Sequence, residues 1–578
     1  MCGIAGFINT KNGSLEVLKK MQAEIYHRGP DEQRSLEFNQ AFIGFNRLSI
    51  IDLSSASMQP IYHEESKIVL SFNGEIYNFL ELKEDLLEKG YTFNSEGDAE
   101  VLLKTYLEYG LDTTLEKING MFAISIYHIK EDRLILARDR MGKKPLYYQH
   151  IDNSVIYASE LNALKKHPNF ISELEPTSAQ RYLIFGGVPA PYTMYKNTKK
   201  LEAGTYLVYE NSSITIKKYW ELSFKNRDTS ISREEAYETF HKLLNSSFDI
   251  RKYADVPKAL YLSGGIDSTI IAKLFNDQNL KIDSITSTFE NKKSNEEKYA
   301  QEVINRYGFN SKKINIELDQ DELFALMSKM DEPFADSAIL PTMQMSKLVK
   351  ELGYKVVFTG DGGDELLGGY HSRRDYSPLF TVPFNHLSKY NIHKGSWSSL
   401  KYLNPKYKSI YGFMKHRLKS VERESYLNII DETLEPFINN STTFLEFKQL
   451  YTIFNMQNFY NYKVDRATMA YSIEARSPLQ DYRLFDYIFK IPTSFYASPK
   501  KKGKQFLKEI LEEDFDKSFI YRKKQGFGMP IGDYIDKLDV QKYVKLSSDY
   551  LGVDFDKTLE NESKYYYLTL GLWLEKNS

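Results

Sequence analysis

Cysteine is almost absent from this chain: of 578 residues one is Cys, at position 2. A single cysteine excludes an internal disulfide, which fits a reducing compartment and places the protein in the cytoplasm. Long apolar runs are missing too. No stretch reaches the roughly 18–20 residues that a membrane-spanning helix needs, and the N-terminus has no charged segment leading into an apolar one. Neither sign of charge is in excess, with 76 Lys and Arg against 78 Asp and Glu and a net charge of −2. That balance argues against nucleic acid as a partner and against an acidic solvating tail. The 10 histidines form neither a His-x-x-x-His helix nor a cluster, which removes the usual metallohydrolase spacing. What is present is length enough for two domains or more.

The lone cysteine follows the initiator Met in Met1-Cys2-Gly3-Ile4-Ala5-Gly6. A small second residue permits removal of Met1, which leaves Cys2 with a free α-amine of ordinary pKa near ~8. That amine can take the thiol proton, so one residue supplies both nucleophile and base.

Residues 2–220 read as a strand-rich unit with a few helices. Apolar spacing predicts strands over 2–8, 42–51, 68–72, 120–127, 133–137, 145–150 and 155–158, and helices over 15–26 and 79–87. Helices covering stacked antiparallel sheets suit such a pattern. Four polar segments fall at strand ends or turns: Tyr26-His27-Arg28-Gly29-Pro30-Asp31, Asn46-Arg47-Leu48-Ser49-Ile50-Ile51-Asp52, Asn73-Gly74-Glu75-Ile76-Tyr77-Asn78 and Ser95-Glu96-Gly97-Asp98.

With Met1-Cys2-Gly3-Ile4, and in this order, these segments resemble the N-terminal-nucleophile glutamine amidotransferase domain. The resemblance implies a four-layer αββα fold of Ntn-hydrolase type over 2–220, with Cys2 as nucleophile. It also implies a glutamine site made by Arg47, Leu48, Ser49, Ile50, Ile51, Asn73, Gly74, Glu75 and Asp98. Arg47 would grip the α-carboxylate through its planar fork. Glu75 and Asp98 would hold the α-ammonium, while the Asn73 amide and Gly74 N–H would form the oxyanion hole. Arg28 and Asp31 would hold a loop over the site. The residues alone leave other roles open: Asn-Gly as a turn, and Asp98 as the cap of a helix over 99–108.

After a polar linker at 221–231 the period changes. Strands over 258–262, 282–289, 313–316 and 355–358 alternate with helices over 268–275, 296–307 and 340–352. The alternation predicts an α/β doubly wound parallel sheet with its ligand at the strand C-termini. The first strand runs into Leu262-Ser263-Gly264-Gly265-Ile266-Asp267-Ser268, where serines, backbone N–H groups and a helix N-terminus can cradle phosphate. This is not the Gly-x-x-x-x-Gly-Lys loop; it resembles the pyrophosphate loop of ATP pyrophosphatases. An Asp inside an anion-binding turn points to an intervening Mg²⁺. A later strand ends in Thr359-Gly360-Asp361-Gly362-Gly363-Asp364-Glu365, acids among glycines that suit a metal and substrate site.

Three further segments follow in order: Val464-Asp465-Arg466-Ala467-Thr468-Met469, Glu474-Ala475-Arg476-Ser477-Pro478-Leu479-Gln480-Asp481 and Gly503-Lys504-Gln505-Phe506-Leu507-Lys508. With Lys524-Gln525-Gly526-Phe527-Gly528-Met529-Pro530 after them, they make residues 232–578 similar to the synthetase domain of glutamine-hydrolysing asparagine synthetases. The likeness then covers nearly the whole chain. It implies ATP contacts from Leu262, Ser263, Gly264, Gly265, Asp267, Ser268, Ser287, Thr359 and Gly360, and Mg²⁺ shared by Asp267 and Asp364. Lys504 would neutralise phosphate charge, and Asp361 would assist formation and aminolysis of an acyl-adenylate. Ammonia would cross between the halves by a sealed passage.

Some members of that family carry Thr-Thr-Ile-Arg where this chain has Phe334-Ala335-Asp336-Ser337 and no arginine. Arg466, Glu474 or Arg476 is therefore expected to serve the acceptor. Aspartate leads as acceptor, with a sugar uronate as the alternative, and the insert 371–463 is a candidate wall of its pocket. A different alternative is a glutaminase whose second half is a non-catalytic scaffold. A homodimer is the assembly that the resemblance offers. Replacing Cys2 with Ala is expected to abolish use of glutamine while sparing use of free ammonia. Parallel assays of product with each nitrogen donor check this, and equal loss with both donors contradicts the division of labour.

Overall fold

The protein is described by a computed structural model over residues 2–289, 297–317, 319–370, 423–498, 503–522, 535–552 and 561–577. The first half contributes β1 (Gly3–Ile8), β2 (Glu32–Phe38), β3 (Ala41–Arg47), β4 (Ile61–His63), β5 (Ile68–Ile76) and β6 (Gly120–His128). It continues with β7 (Arg133–Arg138), β8 (Tyr147–Ile151), β9 (Ser154–Ala158), β10 (Thr198–Lys200), β11 (Thr205–Glu210) and β12 (Ser213–Lys218). These form two antiparallel sheets, in the orders β10-β8-β9-β1-β3-β2 and β12-β11-β7-β6-β5-β4.

Side-chain alternation stacks them. Along β1, Ile4 and Ile8 join Ile43 of β3 and Val69 of β5 in a core between the sheets. Ala5 and Phe7 point the other way, onto Leu18 and Met21 of the helix Leu15–Glu24. Leu70 and Phe72 of β5 likewise turn outward, onto Leu82 and Leu102 of the helices Phe79–Glu88 and Asp98–Lys117. The period of two thus yields helix, sheet, sheet and helix in succession. Two expectations are corrected here. The strand expected over 42–51 ends at Arg47, because Leu48–Ile51 leaves the ladder to form a buried loop beside Cys2. The helix expected over 99–108 starts at Asp98 with Gly97 as its N-cap and is broken at Gly110 (φ 72°) before the chain continues helical to Lys117, so Asp98 lies inside the first turn and is not the cap.

In the second half β13 (Lys258–Tyr261), β14 (Asp283–Phe289), β15 (Ser311–Ile316), β16 (Val356–Phe358) and β17 (Glu474–Arg476) form one sheet, ordered β15-β14-β13-β16-β17. Every pairing is parallel. The chain runs outward from β13 to β15 and then returns to β16 on the other side of β13. That reversal is the switch point where such sheets bind ligands. The expected insert at 371–463 divides: 371–422 lies outside the described residues, whereas 423–463 is helical and passes into Asn461–Met469, a helix that packs at the junction of the halves.

Buried charge joins the halves. Arg28, fully buried, donates to both oxygens of Asp465 at 2.8 and 3.0 Å and to Glu160 at 2.8 Å. Arg466 pairs with Glu160 and Asp331, and Asp331 also receives the N–H groups of Leu161 and Asn162 at 3.1 and 3.0 Å. Arg251 pairs with Asp481 at 2.7 Å, and both touch the Asn119 amide. Removing one member of such a network strands a buried charge. Arg28→Met is therefore expected to cost about 3–5 kcal/mol, read as a lower midpoint of urea or thermal unfolding. A change under about 1 kcal/mol, the range of exposed pairs, would show that the junction is wet.

Candidate active site

Cys2 lies where the two antiparallel sheets meet, just before β1. Its backbone nitrogen donates to Asn73 Oδ1 at 3.1 Å, its carbonyl accepts from Arg28 Nε at 3.2 Å, and its Sγ is 3.9 Å from the Leu48 carbonyl. Burial pushes the thiol up to about 11, so the thiolate needs a base close by. Asn73 uses its oxygen on Cys2, while its Nδ2 is buried without a hydrogen-bond partner. A donor held dry beside a nucleophile is arranged for a charge that develops later. Gly74 next to it has φ +156°, and a Cβ there would meet the Met121 carbonyl oxygen of β6 at 1.9 Å. Only glycine allows the strands to close at this point.

The loop 48–51 is held from both sides. Asp31 accepts the Ser49 N–H at 2.8 Å and pairs with Lys355 of the second half at 2.7 Å. The Ile50 carbonyl accepts the Asp255 N–H at 2.9 Å. Arg47 is buried, with its guanidinium on Glu32 at 2.6 Å and the Ser54 carbonyl at 2.8 Å.

Glu75, Asp98 and Glu474 form a buried acidic group. Arg476 pairs with Glu474 at 2.6 Å and stands 3.6 Å from Glu75, whose Oε2 has no hydrogen-bond partner. Burial, then the charges of Glu474 and Asp98, raise the Glu75 carboxyl well above its ordinary range. Burial also lifts Asp98 to about 6, although the Ile76 N–H donates to it at 2.8 Å. Three acids around one arginine leave room for one more cation.

At the switch point of the parallel sheet, β13 leads into Leu262 and the loop Ser263–Gly265, and the helix Ile266–Asp277 starts with Gly265 as N-cap. Gly264 has φ +74° and lies against the backbone of Tyr299 and Ala300. Ser263 Oγ bonds to Gly265 N and Ser268 Oγ, each at 3.2 Å. The Thr359–Asp364 loop follows β16 on the other side, and Gly360 packs against the Asp267 backbone. Ser287 is half-buried on β14. Lys504 places Nζ 2.6 Å from both Asp267 and Asp364. Burial alone would push its ammonium down, but the two carboxylates outweigh it and raise it. Two aspartates converging on one cation form the hard-oxygen pair that Mg²⁺ takes when phosphates complete its shell. Among the described residues no group of three or more His, Cys, Asp or Glu could hold a metal by itself.

The expected acceptor residues sit elsewhere. Arg466 is buried on Glu160 and Asp331, and Arg476 on Glu474 and the carbonyls of Arg251 and Tyr253. Both guanidinium groups face buried carboxylates at the junction, while Arg466 Nε and Arg476 Nη2 have no hydrogen-bond partner among the described residues. The expected segment Lys524–Pro530 lies outside the described residues. Sequence reasoning missed Lys143, Lys144 and Asp465, which border a cavity together with Thr359 and Asp361.

Residues 1–220 match a family model described as a glutamine amidotransferase domain, and residues 239–552 match one described as asparagine synthase. The curated "Asparagine synthetase (glutamine-hydrolyzing) 1" of Bacillus subtilis (strain 168) is 32% identical over 578 aligned residues, covering 94% of this chain and 89% of its own. A "Putative asparagine synthetase (glutamine-hydrolyzing) 2" of Methanocaldococcus jannaschii is 34% identical over 400 residues, covering 64% of this chain and 76% of its own. A "Putative asparagine synthetase (glutamine-hydrolyzing)" of Mycobacterium bovis is 28% identical, covering 93% of this chain and 88% of its own.

Asp98 gives this site a pH signature. Its carboxyl, raised from 3.8 to about 6, is neutral below that pH and cannot neutralise a ligand ammonium. Titrating glutamine into the Cys2→Ala protein, which cannot turn it over, is expected to give affinity that falls about tenfold per pH unit below about 6. Asp98→Asn should weaken binding and flatten the profile. Constant affinity between about pH 5 and 8 would remove Asp98 from the ammonium site.

Proposed function

The chain belongs to the asparagine synthase family, and on that premise we propose that it converts L-aspartate, L-glutamine, ATP and water into L-asparagine, L-glutamate, AMP and diphosphate. The observation that carries the first half-reaction is the buried, unpartnered Asn73 Nδ2 beside Cys2. Removal of Met1 gives Cys2 an α-amine, which takes the thiol proton. Sγ attacks the side-chain amide carbon of glutamine, and Asn73 Nδ2 with the Gly74 N–H stabilises the oxyanion. The amine returns the proton to the departing nitrogen, ammonia leaves, and water cleaves the thioester to release glutamate. The α-carboxylate of glutamine lies on Arg47, and its ammonium completes the charge of Glu75 and Asp98.

In the second half the acceptor carboxylate attacks the α-phosphorus of ATP, so diphosphate leaves and an acyl-adenylate remains. Leu262, Ser287, Thr359 and Gly360 frame the adenosine, and the Ser263–Ser268 loop cradles the phosphates. Lys504 offsets the charge on the leaving diphosphate. Mg²⁺ held by Asp267 and Asp364 would neutralise phosphate charge in the same place. Asp361 takes a proton from ammonia as it adds to the acyl carbon, and AMP leaves. The layered first half suits the Ntn-hydrolase type, and the second half the ATP-pyrophosphatase type. We place the enzyme in the cytoplasm and take a homodimer as its assembly.

The absence of an arginine at Asp336–Ser337 keeps a sugar uronate as the competing acceptor. Supplying ammonia in place of glutamine isolates the second half. With ATP and Mg²⁺, diphosphate release is expected to depend on aspartate and to match asparagine formed. Turnover of glucuronate without turnover of aspartate would overturn the acceptor while leaving the amidotransferase chemistry standing. Diphosphate release independent of any acceptor, or none at all, would return the second half to a scaffold.

A further inference from the structure

Arg466 and Arg476 each face a buried carboxylate, whereas a cavity between the halves is bordered by two lysines. Its wall includes Thr359 and Asp361 of the nucleotide loop, Ser477 after β17, Asn461 of the junction helix, and Lys143 and Lys144 from the first half. Lys144 has Asp465 at 3.5 Å. Lys143 has no carboxylate partner among the described residues. The other cations nearby are engaged: Lys463 pairs with Asp336 at 2.9 Å, Arg251 with Asp481 at 2.7 Å and Arg476 with Glu474 at 2.6 Å.

Lys143 is also held in place by its backbone. The Asp139 carboxylate accepts the N–H groups of Met141, Lys143 and Lys144 at 3.0, 3.0 and 2.9 Å. Arg138 closes the same turn by donating to the carbonyls of Lys144, Gly142 and Leu201 at 2.8, 2.9 and 2.7 Å. A turn fixed this firmly sets the point from which the Lys143 side chain enters the cavity.

Lys143 faces charges of both signs, and burial is the largest influence on it. Burial lowers its amine to about 7, Arg251 and Lys144 push the same way, and Asp139 and Asp361 oppose them without prevailing. Lys143 borders the cavity without an ion pair of its own among the described residues, and the carboxylate of a ligand entering there would supply one. ATP is already served by the Ser263–Ser268 loop and Lys504. An acceptor with two carboxylates must place one at the α-phosphorus and the other away from it, with Asp361 nearby to receive ammonia's proton. We propose that Lys143, contributed by the glutaminase half, binds the acceptor carboxylate that is not activated and so selects a dicarboxylic amino acid. The proposal rests on aspartate being the acceptor, as argued above.

The test uses the full chain with ammonia as donor, ATP and Mg²⁺, and compares aspartate with 3-aminopropanoate. The second probe keeps the amine and the reacting carboxylate but lacks the other one. Lys143→Met is expected to raise KM for aspartate at least tenfold and to shrink the preference over 3-aminopropanoate by a similar factor. KM for ATP in the same preparations separates acceptor binding from nucleotide binding, and hydrolysis of glutamine reports the fold of the variant. Lys143→Arg should restore the preference. In the wild type kcat/KM for aspartate should fall as pH rises above about 7, where Lys143 loses its proton; in Lys143→Arg that fall should vanish. If Lys143→Met leaves KM and the preference within about twofold, Lys143 does not bind the acceptor. If the wild type amidates a uronate and never aspartate, both this assignment and the acceptor reading fall. If aspartate turns over and only the Lys143 effects are missing, the acceptor reading stands alone.

Discussion

Arg28 touches Cys2, the proposed nucleophile, with one end of its guanidinium and the other half of the protein with the rest. Its Nε donates to the Cys2 carbonyl at 3.2 Å, while Nη1 and Nη2 hold Asp465 at 2.8 and 3.0 Å. Asp465 in turn borders the cavity that contains Asp361. A buried guanidinium is tolerable only when its donors are satisfied by well-placed acceptors. Separating the halves would therefore uncover Arg28, Glu160, Asp331, Asp465 and Arg466 together. That cost holds the halves together, as the ammonia transfer proposed above requires. The same junction sets carboxylates against Arg466 and Arg476.

Each site is electrostatically incomplete in the sense opposite to its substrate. Around Glu75 and Asp98 there is too much negative charge, with one Glu75 carboxylate oxygen lacking a hydrogen-bond partner. Lys143 borders a cavity without an ion pair of its own among the described residues. Around Asp267 and Asp364 a lysine stands between two carboxylates at 2.6 Å from each. The first lacks an ammonium, the second a carboxylate, and the third has the geometry to share a metal with phosphates. Perturbed titration marks such places because the protein has left a charge to be completed by the ligand.

Much of this was legible in residue order. The helix Leu15–Glu24 carries an amphipathic period, β1 and β5 are runs buried on both faces, and β13 and β16 run into glycine-rich turns. Cys2, Asn73, Gly74 and the Ser263–Ser268 loop could be found because their motifs are local. β2 was not legible: Glu32-Gln33-Arg34-Ser35 is polar and exposed at the edge of its sheet, so no apolar alternation announces it. β17 is three residues long and two of them are charged, so only its parallel pairing with β16 identifies it as a strand. The fates of Arg466 and Lys143 depend on partners more than a hundred residues away. Glu160 and Asp331 neutralise the first, while Asp361 faces the second, and no spacing rule connects them.

The central claim is that nitrogen passes from Cys2 to the adenylated acceptor without meeting bulk water. It is tested most directly by supplying glutamine labelled with ¹⁵N in its amide together with excess unlabelled ammonium, and measuring the label in the amidated product by mass spectrometry. A sealed junction predicts product that keeps the enrichment of the glutamine, and Arg28→Met should lower it. Product whose enrichment matches the mixed ammonium pool in the wild type would contradict the account.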